Sequence, residues 1–392
     1  MIFSFKISFE KIIYFLICPF FIWSFLGGHK QVIYGVSSDH VVTMLAFFAS
    51  LLILLRYRIY GNLSINIILI YSLYFLISIA SLFFNEFDVN SIYILLIGCI
   101  YFFITLSLSV FFLEREEIFF RMIIFSSIFS SLVLIFSFIF LGMGSWGRVT
   151  VPVFFEGNFE YFPMGYESSS DPNVLAYFLG FGLITAIFFK KDSAFSFSSV
   201  MIFIGMCLTL SRSAFLSMMM VFTLYFSYIL SKSLKDYILI KVSILGIVVI
   251  FISYIFYYFN LHELLLSRIY SEDSNSDRAE RIYMTLDFIM DPVRILFGSG
   301  VGFSRGNVDP HNFYLSTIQD TGLFSLSLIF LIPLFLIFCL AKKNIDSNLK
   351  KYAFSLVVFF CVISMFYWQM RTYYFLILIL IILNNGRRLR EI

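Results

Sequence analysis

Apolar runs long enough to cross a bilayer follow one another along nearly the whole chain, and the charge gathers in the short stretches between them. Ile92–Phe112 and Met122–Leu141 hold no Asp, Glu, Lys or Arg. A hydrocarbon layer roughly 30 Å thick takes about 20 such residues as helix. No soluble core could absorb a 392-residue chain that is 60% hydrophobic and 13% charged, with mean hydropathy +0.94. The pattern predicts an all-α polytopic membrane protein with about 12 transmembrane helices. The spans fall at about 12–26, 41–55, 64–84, 91–113, 118–143, 173–189, 195–210, 214–230, 238–259, 313–340, 352–367 and 373–384. The 195–230 stretch also reads as a broken or re-entrant pair. The start of the chain runs from Lys6 and Lys11 into the first span without a small-residue cleavage site, so it is taken as a helix rather than a cleaved signal.

Lys and Arg set the orientation. With both termini in the cytoplasm, 18 of the 27 basic residues lie in short inside loops hugging the spans. The nine outside are Lys30, Arg148, Arg212, Arg268, Arg278, Arg281, Arg294, Arg305 and Arg371. Eleven of the twelve lysines are inside, whereas eight of the nine outside cations are arginine. Lysine is a general topology anchor. Arginine carries a planar fork suited to phosphate or carboxylate. The outer face therefore points to an anionic ligand, with contact to lipid headgroups as the plainer alternative.

Two outside segments are long, 144–172 and 260–312, within what reads as a single integral membrane domain over 1–392. The first is aromatic and acidic, a composition suited to sugar faces and hydroxyls. The second carries five of the arginines, and its polar middle is expected to be helical from about Asp277. Cys18, Cys99, Cys207, Cys339 and Cys361 all sit in apolar runs without metal-ligand spacing, and are read as small core residues.

Polar chemistry inside an apolar chain is costly and marks candidate sites. Arg212, in LTLSRSAFL, stands at the outer end of a span with no real loop around it, as a phosphate clamp or as a snorkelling anchor. His311 and Asn312 follow Asp309-Pro310 and open the run FYLSTIQDTGLFSL. A histidine near a helix start is disfavoured as imidazolium, and the neutral ring can accept a proton from a hydroxyl. A loop histidine with no such role is the alternative. Asp171-Pro172-Asn173 opens the sixth span, where capping alone would account for it. No DxD, HExxH, phosphate loop or Gly-x-Ser-x-Gly is present, so neither a metal nor a cofactor is expected.

These pieces resemble the O-antigen polymerase and ligase superfamily of Gram-negative inner membranes. The likeness rests on SRSAFL around Arg212, on Arg278 to Pro292 followed by FGSGVGF, and on HNFYLSTIQDTGLFS, where His311-Asn312 precedes Gly322 by the family's spacing. It covers roughly 170–340 by motif and the chain by topology. The resemblance implies a metal-independent, lipid-carrier-dependent glycosyltransferase of GT-C-like architecture, with its site and large loop in the periplasm. Its partners would be undecaprenyl-pyrophosphate-linked oligosaccharides as donor and acceptor, membrane lipids and a chain-length regulator protein, and no nucleic acid. The resemblance makes His311, Arg212 and Arg278 catalytic, with Arg281 competing with Arg278 for the pyrophosphate. Asn312, Arg294, Arg305, Asp171 and Asn173 complete the expected substrate-binding set. Ser325 stands where ligases tend to carry Gly, Thr or Tyr, and the Phe and Ile enrichment is similar to that of the polymerases, so a polymerase is expected ahead of a ligase. A transporter of lipid-linked glycans would instead distribute charge along the spans.

Overall fold

The structure, a computed structural model, describes residues 9–25, 32–33, 36–57, 65–83, 89–112, 115–144, 148–155, 158–164, 171–189, 197–232, 272–301, 303–306, 310, 312–341 and 347–364. Helices dominate: α1 (Phe9–Phe25), α2 (Ser38–Arg56), α3 (Ile65–Phe83), α4 (Val89–Phe112), α5 (Glu116–Leu141), α6 (Pro172–Phe189), α7 (Phe197–Leu208), α8 (Arg212–Lys232), α9 (Glu272–Ile289), α10 (Pro292–Phe297), α11 (Phe303–Gly306), α12 (Phe313–Ala341) and α13 (Ser347–Ser364). Two antiparallel hairpins interrupt the expected all-α plan. β1 (Val32–Ile33) pairs with β2 (Val36–Ser37), and β3 (Thr150–Phe155) pairs with β4 (Asn158–Pro163) in the register Thr150 to Pro163.

Ten of the expected spans correspond to helices with ends displaced by a few residues; those at 238–259 and 373–384 lie outside the described residues. Among the described residues, α4 over Ile92–Phe112 and α5 are long and apolar enough to cross a membrane, and four shorter apolar helices accompany them. This architecture is compatible with an all-α membrane protein. At 1.5 Å per residue, the 12 residues of α7 reach about 18 Å, short of a full hydrocarbon layer. α7 meets α8 through the tight turn Thr209–Ser211, which fits either two spans or a broken pair. The polar helix begins at Glu272, five residues before the expected start at Asp277, so Asp277 lies within α9 and does not cap it.

Three junctions that the charge rule puts on one side do meet. Arg115, between α4 and α5, pairs with Glu10 of α1 and reaches the Tyr57 hydroxyl beyond α2 at 3.5 Å. The Arg56 guanidinium lies 4.5 Å over the Phe9 ring. At the opposite end of the same helices, His40 Nε2 and Tyr93 Oη are 2.6 Å apart, joining the starts of α2 and α4. The bundle thus has a basic end and a far end, and the starts of α6, α8 and α12 lie at the far end.

The core unites α1, α2, α4, α5, α6, α7, α8 and α13. Edge-to-face rings concentrate where α1, α4 and α5 meet, among Phe21, Phe112 and Phe119. Elsewhere small residues let backbones approach, the usual contact between helices that lipid cannot drive together. α5 buries Ser126, Ser127, Ser130, Ser131 and Ser137, and Ser127 and Ser131 return their hydroxyls to carbonyls four residues back. A Cβ on Gly205 of α7 would stand 2.4 Å from Ser131 Oγ and 2.8 Å from Ser131 Cα. The cysteines are not uniformly core: Cys207 is buried, Cys18 and Cys361 are half-buried and Cys99 is exposed on α4, while the Cys339 side chain lies outside what the structure describes.

Because Ser131 cannot retreat from its own backbone, Gly205→Leu will force α7 off α5. Overpacking of this kind costs about 1–3 kcal/mol, and the detergent-solubilised variant is expected to unfold several degrees below the wild type in a thermal melt.

Candidate functional site

Two groups of candidate residues lie at the far end, with α13 packed against both.

The first group stands where α6 and α8 begin. Asp171 Oδ1 accepts the Asn173 N–H at 2.7 Å, with Pro172 opening α6, which is a side-chain cap. Asn173 then turns its Oδ1 to the Ser211 hydroxyl, which donates to it at 2.9 Å. Ser211 lies 3.1 Å from the Ser213 hydroxyl, and its Oγ accepts the Ala214 N–H at 3.4 Å, so it caps α8. The two helix starts are thereby tied at one level, and Arg212, half-buried, is the first residue of α8. Leu210 holds the turn before it at φ 51°, a left-handed conformation that costs a leucine about 1–2 kcal/mol. That turn is buried and closed by Thr209, whose hydroxyl donates to the Met206 carbonyl at 2.7 Å. The strain is the local cost of directing the chain from α7 into Arg212.

Arg148 joins this group, although the sequence reading only counted it among the outer arginines. It sits at the base of the β3–β4 hairpin and donates Nη1–H to the Met164 carbonyl at 2.8 Å. Desolvation by burial pulls its pKa below the ordinary value, and the Asp171 carboxylate opposes that shift. The only signal in the sequence was its place just after the fifth span.

The second group is built on α9 to α12. Arg278 and Arg281 are three residues apart on α9 and so share a helical face; Arg281 is half-buried. Asp291 caps α10, its Oδ1 accepting from Val293 and Arg294 at 2.8 and 3.4 Å, with Pro292 in the first turn. Arg294 is exposed, and its guanidinium lies 4.4 Å over the Phe288 ring. Phe288 stacks on Phe303 at 4.7 Å, joining α9 to α11. Arg305 is on α11. Asn312 caps α12: its Oδ1 accepts from Tyr314 and Leu315 at 2.9 and 3.1 Å. His311, the residue before it, lies outside the described residues.

The span expected at 313–340 is not one continuous helix. α12 breaks at Gly322, with φ 81° and ψ 178°. A break inside an apolar layer strands carbonyls that must find donors within the protein. Here the Gln319 carbonyl accepts the Ser299 N–H at 2.8 Å and the Asp320 carbonyl accepts the Gly300 N–H at 2.9 Å. The Thr321 carbonyl accepts the Ser325 hydroxyl at 3.2 Å. The turn after α10 is therefore sewn to the break. The approach is so close that a Cβ on Gly322 would meet the Leu296 carbonyl oxygen at 2.0 Å, and one on Gly298 would meet Asp320 backbone at 2.4 Å. Far from being a free loop, the described part of 260–312 is packed into the bundle, with α10 against both α12 and α3.

Between the two groups stands α13. It lines α6 and α8, where Tyr177 and Phe359 stack at 6.0 Å. At its far end the Tyr314 hydroxyl of α12 donates to the Cys361 carbonyl at 2.9 Å, and the Phe313 ring packs against Phe360. Arg212 belongs to the first group; Arg278, Arg281, Arg294, Arg305 and Asn312 belong to the second.

Two outcomes follow from the second group. Gly322→Ala meets both a forbidden φ, worth about 1–3 kcal/mol, and the Leu296 oxygen, so the variant should fail to give a monodisperse peak on size-exclusion of solubilised protein. Asn312→Ala removes a cap worth about 1 kcal/mol, whereas Asn312→Asp retains the acceptor; thermal melts should show a loss for the first and near-wild-type behaviour for the second.

The model of a family described as O-antigen ligase matches residues 197–330, about a third of the chain. The match runs from the start of α7 into α12, so it takes in Arg212, the α9–α11 arginines, His311 and the Gly322 break. No curated protein matches the chain.

Proposed function

We propose that this chain, whose residues 197–330 match the model of a family described as O-antigen ligase, belongs to the O-antigen polymerase and ligase superfamily, whose general chemistry is transfer of lipid-linked glycans, and that it is an O-antigen polymerase of the Gram-negative inner membrane. It transfers an undecaprenyl-pyrophosphate-linked glycan onto another lipid-linked repeat unit at the periplasmic face. Both termini are cytoplasmic, and the chain has about twelve spans in a GT-C-like arrangement. The observation that carries this reading is that, among the described residues, the cations of both far-end groups are arginines: Arg148 at the β3–β4 hairpin and Arg212 at the capped start of α8 in the first, and those on α9, α10 and α11 in the second.

The chemistry divides among the groups. A glycosyl pyrophosphate leaves as an anion, so groups that bind its growing charge lower the barrier most. Arg212 enters from the α8 start, where backbone N–H groups also favour an anion. Arg278 or Arg281, three residues apart on α9, is assigned to the same pyrophosphate, and Arg294 and Arg305 are assigned to substrate binding. His311 accepts the proton of the acceptor hydroxyl or orients it. Asp171, Asn173 and Asn312 already spend side-chain oxygens on caps and on Ser211, so they act on the substrate through the helix starts they hold. The step needs no metal in this account. A chain-length regulator protein would act on the assembled polymerase.

Ligation to lipid A–core is the second reading, favoured by the description of the matched family as O-antigen ligase. Deleting the chain separates the two: a lost polymerase leaves core bearing one repeat unit, and a lost ligase leaves bare core with lipid-linked polymer. Arg212→Ala and His311→Ala are expected to abolish the lipopolysaccharide ladder at unchanged protein level. A full ladder from either variant would refute the assignment of that residue.

A further inference from the structure

On α12 the hydroxyls of Thr317, Thr321, Ser325 and Ser327 each donate to the carbonyl four residues back, an ordinary arrangement for Ser and Thr within a helix. Ser316, on the same helix and fully buried, is held otherwise. Its Oγ has no hydrogen-bond partner among the described residues. The same holds for Ser299 Oγ, Ser304 Oγ and Gln319 Oε1, on residues that are 6% exposed or less. A polar atom kept from water without a partner is costly, and several in one neighbourhood point to an occupant.

They do share a neighbourhood. Ser316 stands one turn before Asp320 on α12, a spacing that leaves their Cβ atoms about 5–6 Å apart, and Gln319 lies between them in the chain. The Ser304 N–H donates to Asp320 Oδ1 at 2.8 Å, which brings Ser304 to that carboxylate. The Ser299 N–H donates to the Gln319 carbonyl at 2.8 Å, and the Gly300 N–H to the Asp320 carbonyl at 2.9 Å. Asp320 is itself 6% exposed. Three hydroxyls, an amide oxygen and a carboxylate thus gather beside the break at Gly322.

The chemistry of the set selects the occupant. Every group offers oxygen, and none is a thiolate or an imidazole, which suits a hard cation. One carboxylate matches a single positive charge; calcium sites draw on a larger, more anionic set. The break adds to this, because the helical stretch 313–321 ends there. The C-terminal end of a helix carries partial negative charge, and interrupted helices within membranes seat sodium at such ends. Water would meet the open hydrogen-bonding valences but would not answer that charge.

We propose that this pocket binds a monovalent cation of the sodium class, held by Asp320, Gln319, Ser299, Ser304 and Ser316, which joins the turn after α10 to the break in α12. The ion is structural and takes no part in the transfer step. The proposal stands apart from the reading of the chain as a polymerase, and so does its test.

The full chain is solubilised and exchanged into buffers of equal pH and ionic strength that contain sodium chloride or N-methylglucamine chloride. Thermal melts are expected several degrees higher in sodium, with the midpoint rising as sodium rises, as for a ligand that binds the folded state. Radiolabelled sodium should saturate at a single ion per chain. Ser316→Ala should raise the half-saturating sodium concentration several-fold. Asp320→Asn, which keeps an acceptor for the Ser304 N–H but removes the charge, should abolish both the binding and the sodium-specific shift. Equal melts in the two salts mean ordered water only and overturn the proposal. A sodium shift undiminished in both variants also overturns it, because the ion then lies elsewhere. If Asp320→Asn does not fold, Ser316→Ala decides by the same criterion.

Discussion

The arrangement of the far end depends on carbonyls left over where α12 breaks. A helix interrupted in an apolar layer cannot turn to water for the bonds it loses. At Gly322 the Gln319 and Asp320 carbonyls are met by the Ser299 and Gly300 amides, and the Thr321 carbonyl by the Ser325 hydroxyl. That pairing draws the segment after α10 into the bundle. Once there, α10 packs on α3 and α12, Phe288 stacks on Phe303, and the arginines of α9, α10 and α11 are carried by a folded edge rather than a loop. The two close glycine approaches are the steric condition for it: without a Cβ at 298 and 322, backbone can reach backbone.

Much of this was legible in the residues, and for physical reasons. Hydrocarbon demands long uncharged helices, so α1 to α6 appear in the sequence within a few residues of their observed ends. The junctions that the charge rule groups together also meet in space, where Glu10, Arg56, Tyr57 and Arg115 come together from three of them. Asp171 was readable as a cap because Asx-Pro before an apolar run is a local signal. What escaped was non-local. Ser316, Thr317, Gln319, Asp320 and Thr321 make a polar run just before Gly322, but such a run does not by itself mark a break; the φ of Gly322 follows from what packs against it. Asp320 was not singled out in the sequence, because the groups it meets, Ser304 and Gly300, are 16 to 20 positions upstream. The helix from Glu272 began earlier than Asp277 implied because a polar sequence offers several capping residues and tertiary contact selects among them. The hairpin at 150–163 was hidden by the aromatic composition of its loop.

The candidate arginines also differ in how they are held. Arg212 is the first residue of a helix whose start is fixed by Ser211, Asn173 and the strained Leu210. Arg294 rests on an aromatic face and is exposed. One is pre-set by backbone, the other by a ring that permits movement along it. Under the proposed function, in which a pyrophosphate is gripped and then released, such a mixture of fixed and adaptable cations would serve both steps.

The position of α13 has a consequence for how such chains can be divided. The stretch that carries the family likeness ends at residue 330, before α13 begins at Ser347. Yet α13 is the wall shared by the Arg212 group and the start of α12. Cut out by itself, the recognisable segment would lose the surface on which its own two halves meet. In this chain the matched segment is packed against helices that come before it and after it.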